Sequence, residues 1–318
     1  MKKILITGGS GTVGSSFIEK YYKDYSFFSF SRNEKMQVSL KRRFEEIEII
    51  LGSVTDKHIL MNAMSKVNPD IVIHAAALKH VDTAEISPIE AIKSNIIGSL
   101  NVIESSVSNN VPITLGISTD KACTPDNNYG YTKSLMEKMF LQAHSERNKF
   151  TVCRFGNVTH SHGSVLPFWI REKINNRPLK LTDKKMNRLM FSRNEAVQLV
   201  HKALDQTSAE KETFILSQKM KTVNMFELAN ILSDQIEIIG KRPGEKLDEI
   251  LISENELPYT FVEDKFVSIR QYKNNSDNTL DKEYSSLTAK KMSKEEIIDI
   301  ISETDKDLKE SLIESALY

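Results

Sequence analysis

The chain has 318 residues, which is enough for a large hydrophobic core and for two lobes rather than one. Its 43 Lys and Arg residues equal its 43 Asp and Glu residues, so the formal net charge is zero and electrostatic binding to nucleic acid is not expected. The 2 cysteines fit neither a disulfide framework nor a metal-ligand pattern. The apolar run at residues 4–6 is too short for a signal peptide or a membrane span, so we expect a cytoplasmic protein without membrane insertion.

That first apolar run predicts a strand, and a glycine-rich turn and a helical apolar pattern follow it directly. A dinucleotide-binding site requires this order, because glycines let the backbone approach a pyrophosphate and the helix N-terminus offers it unpaired N–H groups. The glycine spacing is G-x-x-G-x-x-G rather than the commoner G-x-G-x-x-G, and a turn that only allows tight packing is the alternative. The turn residues expected to contact a cofactor are Gly8, Ser10, Gly11, Thr12, Val13 and Gly14.

The second predicted strand, residues 26–30, ends at Ser31 and Arg32. Enzymes selective for NAD usually place an acidic residue here to hold the ribose 2′-hydroxyl, whereas an arginine suits a 2′-phosphate. Ser31 and Arg32 therefore predict NADP as the cofactor. A solvated loop arginine is the alternative.

Strands and helices alternate along the first half of the chain, which predicts an α/β fold with a Rossmann-type, doubly wound parallel sheet. A strand at residues 212–216 is expected to return to this sheet as its edge. Three small residues end the strand that starts at residue 70 and leave room for a flat cofactor, namely Ala75, Ala76 and Ala77. The predicted division is an NADP-binding domain (1–160, with 187–218 returning to it), a smaller substrate-binding lobe (161–186 and 219–285) and a C-terminal helical segment (286–318, with its helix at 294–317).

Chemically reactive side chains gather between residues 119 and 133. Tyr129 and Lys133 are one helical turn apart and share a helix face. Asp120 and Lys121 directly follow a predicted buried strand, and ligands bind at the carboxyl ends of strands in open α/β sheets. We interpret this stretch as the reacting centre of a nucleotide-dependent enzyme. A simple Asp120–Lys121 ion pair at a strand end is the alternative.

With these residues, the chain resembles the extended short-chain dehydrogenases/reductases, and among them the UDP-N-acetylglucosamine 4,6-dehydratases of the polysaccharide-biosynthesis family, especially the 5-inverting ones. Tyr-x-x-x-Lys alone marks only the superfamily, whereas Thr-Asp-Lys eight residues upstream is specific to this branch. The resemblance covers nearly the whole chain. Its further motifs are Ala75-Ala76-Ala77-Leu78-Lys79-His80-Val81, Arg154-Phe155-Gly156-Asn157-Val158, Gly163-Ser164-Val165 and Arg242-Pro243-Gly244-Glu245-Lys246-Leu247. The chain departs from the family pattern at Ser53, His162, Asn187 and Asp248.

The resemblance implies NADP-dependent dehydration of a UDP-N-acetylhexosamine to a 4-keto-6-deoxy sugar with C5 inversion, for surface-glycan or flagellin-sugar biosynthesis. Tyr129 would take the C4 hydroxyl proton, and the Lys133 ammonium would lower the tyrosine pKa and hold the nicotinamide ribose. Lys121, in its neutral form, would remove the C5 proton, and Asp120 would protonate the departing C6 hydroxyl. Thr119 would hydrogen-bond the substrate near C4.

The remaining binding residues come from the same resemblance. Arg193 and Arg242 are expected to clamp the diphosphate, because guanidinium matches phosphate oxygens bidentately. Further cofactor contacts are expected from Ser53, Val54, Lys79 and Asn95, and substrate contacts from Lys79, His80, Asn157, Ser164, Val165, Arg193, Arg242 and Glu245. We predict no metal, because His160 and His162 have no third ligand. A homo-oligomer is expected.

Three alternative functions stay open. A retaining 4,6-dehydratase would keep the C5 configuration, and a UDP-sugar 4-epimerase would not eliminate water. The Asp120–Lys121 pair argues against an epimerase, which needs no such acid and base. A non-catalytic NADP-binding Rossmann protein would not need Tyr129 or Lys133.

Overall fold

The computed structural model describes residues 1–161 and 163–304, which form sixteen strands and eleven helices. The strands are β1 Lys3–Thr7, β2 Ser26–Ser31, β3 Glu48–Leu51, β4 Ile71–His74, β5 Ile113–Thr119, β6 Lys149–Phe155, β7 Asn157–Val158, β8 Leu179–Leu181, β9 Asn187–Phe191, β10 Phe214–Gln218, β11 Lys221–Asn224, β12 Ile236–Ile238, β13 Ile250–Ile252, β14 Thr260–Glu263, β15 Phe266–Arg270 and β16 Tyr284–Ser285. The helices are α1 Thr12–Tyr21, α2 Glu34–Arg43, α3 Lys57–Val67, α4 Val81–Ile86, α5 Pro88–Ile92, α6 Gly98–Ser108, α7 Asn128–Ala143, α8 Val165–Ile174, α9 Arg193–Ala209, α10 Met225–Leu232 and α11, helical over residues 294–304.

Nine strands form the main sheet, in the order β14-β15-β10-β6-β5-β4-β1-β2-β3. The seven strands from β10 to β3 are parallel, and apolar residues such as Leu5, Val72 and Leu115 are fully buried in it. Helices cover both faces, because a parallel sheet needs a crossover between successive strands. The predicted Rossmann-type α/β fold is thus confirmed. The parallel strands end together at one edge, and the sequence motifs lie there.

Strand β10 returns to the sheet as predicted, but it is not the edge. The antiparallel hairpin β14–β15 pairs with it and extends the sheet by two strands. The sequence division placed this hairpin in the substrate-binding lobe, and that part of the division is wrong. Its two-residue turn places Asp264 at φ +56°, and Asp-Lys is a weaker hairpin signal than Asn-Gly or Asp-Gly.

A second, smaller core lies around Trp169 on α8, whose indole N–H donates to the carbonyl oxygen of Lys180 at 3.0 Å. Buried apolar residues of β8, β9 and α10 pack with it, including Leu179, Met190 and Leu228. The predicted smaller lobe contains α8, β8 and α10, but β9 was assigned to the NADP-binding domain, so the packing of Met190 in this cluster departs from the predicted division. The final predicted helix is present over residues 294–304, and its remainder, residues 305–318, lies outside the described part of the chain.

Arg154 on β6 forms a buried ion-pair network behind the sheet edge. Its guanidinium donates to both carboxylate oxygens of Glu137 on α7, at 2.9 and 2.7 Å, and to those of Glu256, at 3.0 and 2.9 Å. It also donates to the carbonyl oxygen of Leu251. The arginine side chain is only 2% exposed. This network therefore joins the sheet, the helix of Tyr129 and the segment around residues 250–256.

Candidate active site

A cleft of about 1460 Å³ opens at the carboxyl ends of the parallel strands and is lined by both lobes. It brings together most residues that the sequence singled out. Those lining it are Ser10, Thr12, Val13, Ala75, Ala77, Lys79, His80, Thr119, Lys121, Tyr129, Lys133, Asn157, Ser164, Val165, Arg193, Arg242 and Glu245. The cleft is large enough for a dinucleotide together with a sugar nucleotide.

The glycine-rich turn between β1 and α1 has the geometry that a pyrophosphate needs. Gly8 has φ +71°, and a Cβ there would lie 2.8 Å from the backbone nitrogen of Ala76, so only glycine fits. A Cβ on Gly14 would lie 2.7 Å from the Cα of Gly9. These glycines, with Gly11, lie beneath the cleft lining and let α1 start close to the cleft. The turn thus fits a dinucleotide at the N-terminus of α1.

The end of β2 is the candidate site for the adenosine ribose. The hydroxyl of Ser10 donates to that of Ser31 at 3.1 Å, which ties the glycine turn to β2. Arg32 follows at the surface, and within the described residues its guanidinium has no hydrogen bond or salt bridge. Lys35 and Arg42 of α2 line the cleft on the same side. With Arg43, these cations outnumber the carboxylates of Glu19 and Glu34, which also line the cleft there.

Tyr129 lies in the first turn of α7, whose N-terminus is capped by the side chain of Asn127 accepting from the N–H of Gly130 at 2.8 Å. Burial raises the pKa of Tyr129 to about 12, and the Lys121 ammonium and a hydrogen bond with Thr119 oppose this rise. From the sequence, the Lys133 ammonium was expected to lower the pKa of Tyr129. The cation that acts on the phenol in the structure is instead Lys121.

Lys133 lies one turn further along α7, and its ammonium donates to the carbonyl oxygen of Ile117 at 2.5 Å. Burial lowers the pKa of Lys133 to about 8, although Glu137 opposes this. Its position in the cleft beside Tyr129 agrees with the predicted shared helix face. The carbonyl of Ile117 holds the lysine at the end of β5.

Lys121 lies between two buried carboxylates. Its ammonium is 3.1 Å from Oδ1 of Asp120 and 3.3 Å from Oε1 of Glu249. Burial opposes the charged form of Lys121, but these two carboxylates outweigh it and raise the lysine pKa above its ordinary value. These contacts therefore favour the ammonium form over the neutral Lys121 expected from the sequence.

Asp120 is 1% exposed and lies directly behind Thr119 and Lys121. Its Oδ1 accepts hydrogen bonds from the Thr119 hydroxyl at 2.8 Å and from the Lys121 ammonium at 3.1 Å. Its Oδ2 is buried, and no hydrogen-bond partner for it exists within residues 1–161 and 163–304. Buried polar atoms normally have a partner, so this oxygen is available to a ligand or to a proton.

Sequence reasoning missed Glu249 and Arg188, which line the cleft from the second lobe. Arg188 on β9 donates to the carbonyl oxygens of Lys246 and Leu247, and its charge acts on both Lys121 and Glu249. The sequence contained one signal for Glu249: it is an acidic residue directly before the apolar strand β13, shortly after the Arg-Pro-Gly-Glu turn. Only the fold brings it to Lys121.

Among the predicted cofactor contacts, Ser31, Arg32 and Ala76 do not line the cleft, and neither do Asn95, Ser53 and Val54. Asn95, in a π-helical turn before α6, uses both amide hydrogens on Leu78 and Thr132 and accepts from the Leu78 N–H. Its role is thus to hold the loop after β4 against α7, because no donor is left for a ligand. The Ser53 hydroxyl bonds that of Thr55 at 2.8 Å. Val54 is buried.

The predicted substrate residues line the same cleft. Arg242 lies between Asp82 at 3.8 Å and Glu245 at 4.0 Å, and the carboxylate of Glu245 also accepts from Thr182. The buried hydroxyl of Ser164 has no partner among the described residues. Two further predicted substrate residues also have partners: Asn157 donates to the carbonyl oxygen of Leu189, and the ring of His80 lies against Gly163. The sequence departure at His162 lies outside the described residues.

Two structural observations concern the predictions about a metal site and a membrane span. Within residues 1–161 and 163–304, no group of three His, Cys, Asp or Glu side chains could hold a metal ion. In the same part of the chain, no helix combines the length and the apolar character needed to cross a membrane.

Comparisons with known proteins identify the family of the chain. Residues 4–271 match the model of the family described as polysaccharide biosynthesis protein. A UDP-N-acetylglucosamine 4,6-dehydratase (inverting) of Campylobacter jejuni is 37% identical over 84% of this chain and 82% of its own. A UDP-glucose 4-epimerase of Rickettsia bellii is 34% identical over 80% of this chain and 79% of its own. The resemblance drawn from the sequence is confirmed.

Two other matches cover nearly the whole chain. An uncharacterized membrane protein of Methanocaldococcus jannaschii is 37% identical over 95% of this chain and 96% of its own. The X-ray structure of Pen from Bacillus thuringiensis has a TM-score of 0.88 at 30% identity and covers 96% of this chain and 98% of that one. Both lobes therefore have a counterpart of the same architecture.

Proposed function

The chain belongs to the polysaccharide biosynthesis protein family, and from this premise we propose that it is an NADP-dependent UDP-N-acetylglucosamine 4,6-dehydratase that inverts C5. The single observation that carries the proposal is the cluster of Tyr129, Lys121 and Asp120: Tyr129 and Lys121 line the same cleft as residues of the glycine-rich turn, and Asp120 lies buried against Lys121. A phenol, an amine and a carboxyl group are the bases and the acid that oxidation at C4 and elimination across C5 and C6 require. The 37% identical dehydratase of Campylobacter jejuni supports the same substrate.

Tyr129 performs the first proton transfer. NADP, when bound, would supply the hydride acceptor for C4 and the hydride donor for C6. As the C4 hydroxyl is oxidised, the Tyr129 oxygen takes its proton, and the Lys121 ammonium stabilises the phenolate that this requires. Lys133, held by the Ile117 carbonyl, lies at the correct end of α7 to bind the nicotinamide ribose.

Lys121 and Asp120 perform the elimination. The new C4 ketone acidifies the C5 proton, so an amine is a sufficient base, and Lys121 faces the cleft where C5 would lie. Asp120 gives a proton to the departing C6 hydroxyl, which leaves as water. Reprotonation of C5 from the opposite face then gives the inverted sugar. The product would serve surface-glycan or flagellin-sugar biosynthesis.

A proton NMR experiment tests this function directly. Purified enzyme with NADP and UDP-N-acetylglucosamine in deuterated water is expected to lose the C6 hydroxymethyl signals and to form a methyl signal, with solvent deuterium at C5. The couplings of the product ring distinguish C5 inversion from retention. A new UDP-N-acetylgalactosamine spectrum without a methyl signal would show an epimerase instead, which the 34% identical Rickettsia relative makes the second candidate. An unchanged spectrum would favour a protein that only binds the cofactor.

Arg32→Asp tests the choice of cofactor. We expect it to weaken NADPH binding about 100-fold, because the charge facing the 2′-phosphate changes sign, and to leave NADH binding within about threefold. The measurement is a fluorescence titration with each cofactor. Lys23→Asp is the matched control, since this lysine is exposed and does not line the cleft. Equal losses for both cofactors would remove Arg32 from the phosphate site.

We also infer that a second copy of the chain covers two exposed apolar stripes beside the active-site helix. One stripe, on α7, consists of Tyr131 and Leu135, which are 56% and 44% exposed. The other runs through Ile97, Leu100 and Val107, at helical spacing on or next to the neighbouring α6. Such patches mark interaction sites, and the same face on two copies is self-complementary.

Leu135→Lys tests this assembly. The variant is expected to weaken the dimer at least about 30-fold, because it places a charge in the apolar contact. Light scattering after size-exclusion chromatography would then give the mass of one chain at concentrations where the wild type gives two. The matched control is Ile174→Lys, an exposed apolar position on α8. A wild-type protein that is monomeric at every concentration would contradict the inference.

A further inference from the structure

Glu249 is the strongest unexplained feature of the site. Its carboxylate is 2% exposed, yet it comes from the second lobe and lines the cleft next to the lysine that the proposed reaction uses as a base. Its Oε1 lies 3.3 Å from the Lys121 ammonium. Burying a carboxylate is costly unless it is paired, so this position needs a physical reason.

The reaction poses a problem that this carboxylate solves. An ammonium has no lone pair and cannot remove the C5 proton, and the structure holds Lys121 in its charged form between Asp120 and Glu249. Lys121 must therefore lose a proton inside the cleft. Asp120 must itself carry a proton for the departing C6 hydroxyl, on the Oδ2 that has no partner among the described residues, so it cannot also take the proton of Lys121. Glu249 is the other acceptor within reach.

We propose that Glu249 is a positioning residue that takes the ammonium proton of Lys121 and so turns this lysine into the C5 base. The inference rests on the proposed function. In the step, an Nζ–H bond of Lys121 breaks, its electron pair stays on nitrogen, and an O–H bond forms on the Glu249 carboxylate. One positive and one negative charge disappear together, which a closed, dry cleft favours. No further reactant is needed.

The same contacts restore the acid after each elimination. Lys121 removes the C5 proton and becomes an ammonium again, while Asp120 has given its own proton to the leaving hydroxyl. Because the ammonium lies 3.1 Å from Asp120, it can return that proton directly. Glu249 keeps the proton that it took at the start, so Lys121 is a neutral amine again only after this second transfer. Burial raises the pKa of Glu249, although the Lys121 ammonium opposes this, in agreement with a carboxyl group that can carry the proton.

Glu249→Gln tests the proposal, because glutamine keeps the shape but cannot accept a proton. We expect kcat for methyl formation to fall at least about 100-fold with KM within about threefold, and C5 deuterium exchange to fall with it. Glu249→Asp, which keeps a carboxyl group, should recover at least about tenfold of this loss. The matched control is Glu210→Gln, which removes a carboxylate paired with Arg270 outside the cleft and should leave kcat unchanged.

The pH profile separates this role from a structural one. The charged and titratable groups of Asp120, Arg188 and Tyr129 also act on Lys121. These groups are the same in the wild type and the Glu249→Gln variant, so the ratio of the two rates reports the effect of Glu249 alone. That ratio should shrink as pH rises, because solvent then takes the lysine proton that glutamine cannot. A ratio independent of pH, or a raised KM with normal kcat, would overturn the proposal.

Two controls keep the result interpretable. Thermal unfolding checks that the Glu249→Gln variant folds. If that variant does not fold, Glu249→Asp must show both a lowered kcat and the pH-dependent ratio of rates. Normal activity of Glu249→Asp would then overturn the proposal. A wild-type protein that forms no methyl group would refute the proposed function, and this inference with it. A fully active Glu249→Gln enzyme would refute the inference alone.

Discussion

Lys121→Arg is expected to abolish methyl formation, by at least about 1000-fold, while the bound cofactor is still reduced when the substrate is added. Arginine stays protonated at every accessible pH, so it cannot remove the C5 proton. Its charge can still pair with Asp120 and Glu249 and can still stabilise the Tyr129 phenolate. The two half-reactions are read separately, the first as absorbance of the reduced nicotinamide and the second as the methyl signal.

Lys121→Ala is the comparison variant, and it should lose both half-reactions. Without the cation, two buried carboxylates lie near each other unpaired, and the pKa of Tyr129 rises further. Cofactor affinity should stay within about threefold in both variants, because the glycine turn is untouched. Turnover retained by the arginine variant would remove Lys121 from the role of base.

Arg154→Met is expected to cause the largest loss of stability, about 3–5 kcal/mol in the free energy of unfolding. It leaves the buried carboxylate of Glu137 without its two hydrogen bonds from the guanidinium. Glu256 is affected less, since it still accepts from the Ser253 N–H at 3.0 Å. Urea denaturation monitored by circular dichroism gives the free energy.

Two further variants identify the cause of this loss. Glu137→Met combined with Arg154→Met removes the unpaired carboxylate and should recover most of the stability, because a buried ion pair can be replaced by apolar groups at little cost. Arg177→Met breaks a pair with Glu172 in which the arginine side chain is 58% exposed, and it should cost at most about 1 kcal/mol. Similar losses for Arg154→Met and Arg177→Met would mean that burial does not decide the strength of these pairs.

The parts of the site that the sequence predicted are those that depend on local chain geometry. The strand, glycine turn and helix from β1 to α1 follow one another, so each confirms the next in the sequence. Tyr129 and Lys133 share a helix face because they are four residues apart, and Asp120 and Lys121 follow β5 directly. The order of these segments is enough to place them at one edge of a parallel sheet.

The parts that it missed depend on contacts between distant segments. Glu249 approaches Lys121 only because the segment before β13 crosses the end of the main sheet, and no local pattern records this. The same contact favours the ammonium form of Lys121, whereas the sequence led us to expect the neutral form. The family resemblance led us to expect a contact between Asn95 and the cofactor. In the structure, the Asn95 side-chain amide instead donates to Leu78 and Thr132.

The ion pair between Lys121 and Glu249 also has a consequence for biogenesis. A chain emerging from the ribosome folds its N-terminal part first, so the dinucleotide-binding strands can assemble while the second lobe is still being made. The lysine would then meet its second carboxylate only after Glu249, 128 residues further along the chain, has also been synthesised. A nascent chain should therefore acquire the capacity to hold a nucleotide well before it can act on one, which protects its cofactor from unproductive chemistry until the second lobe has formed.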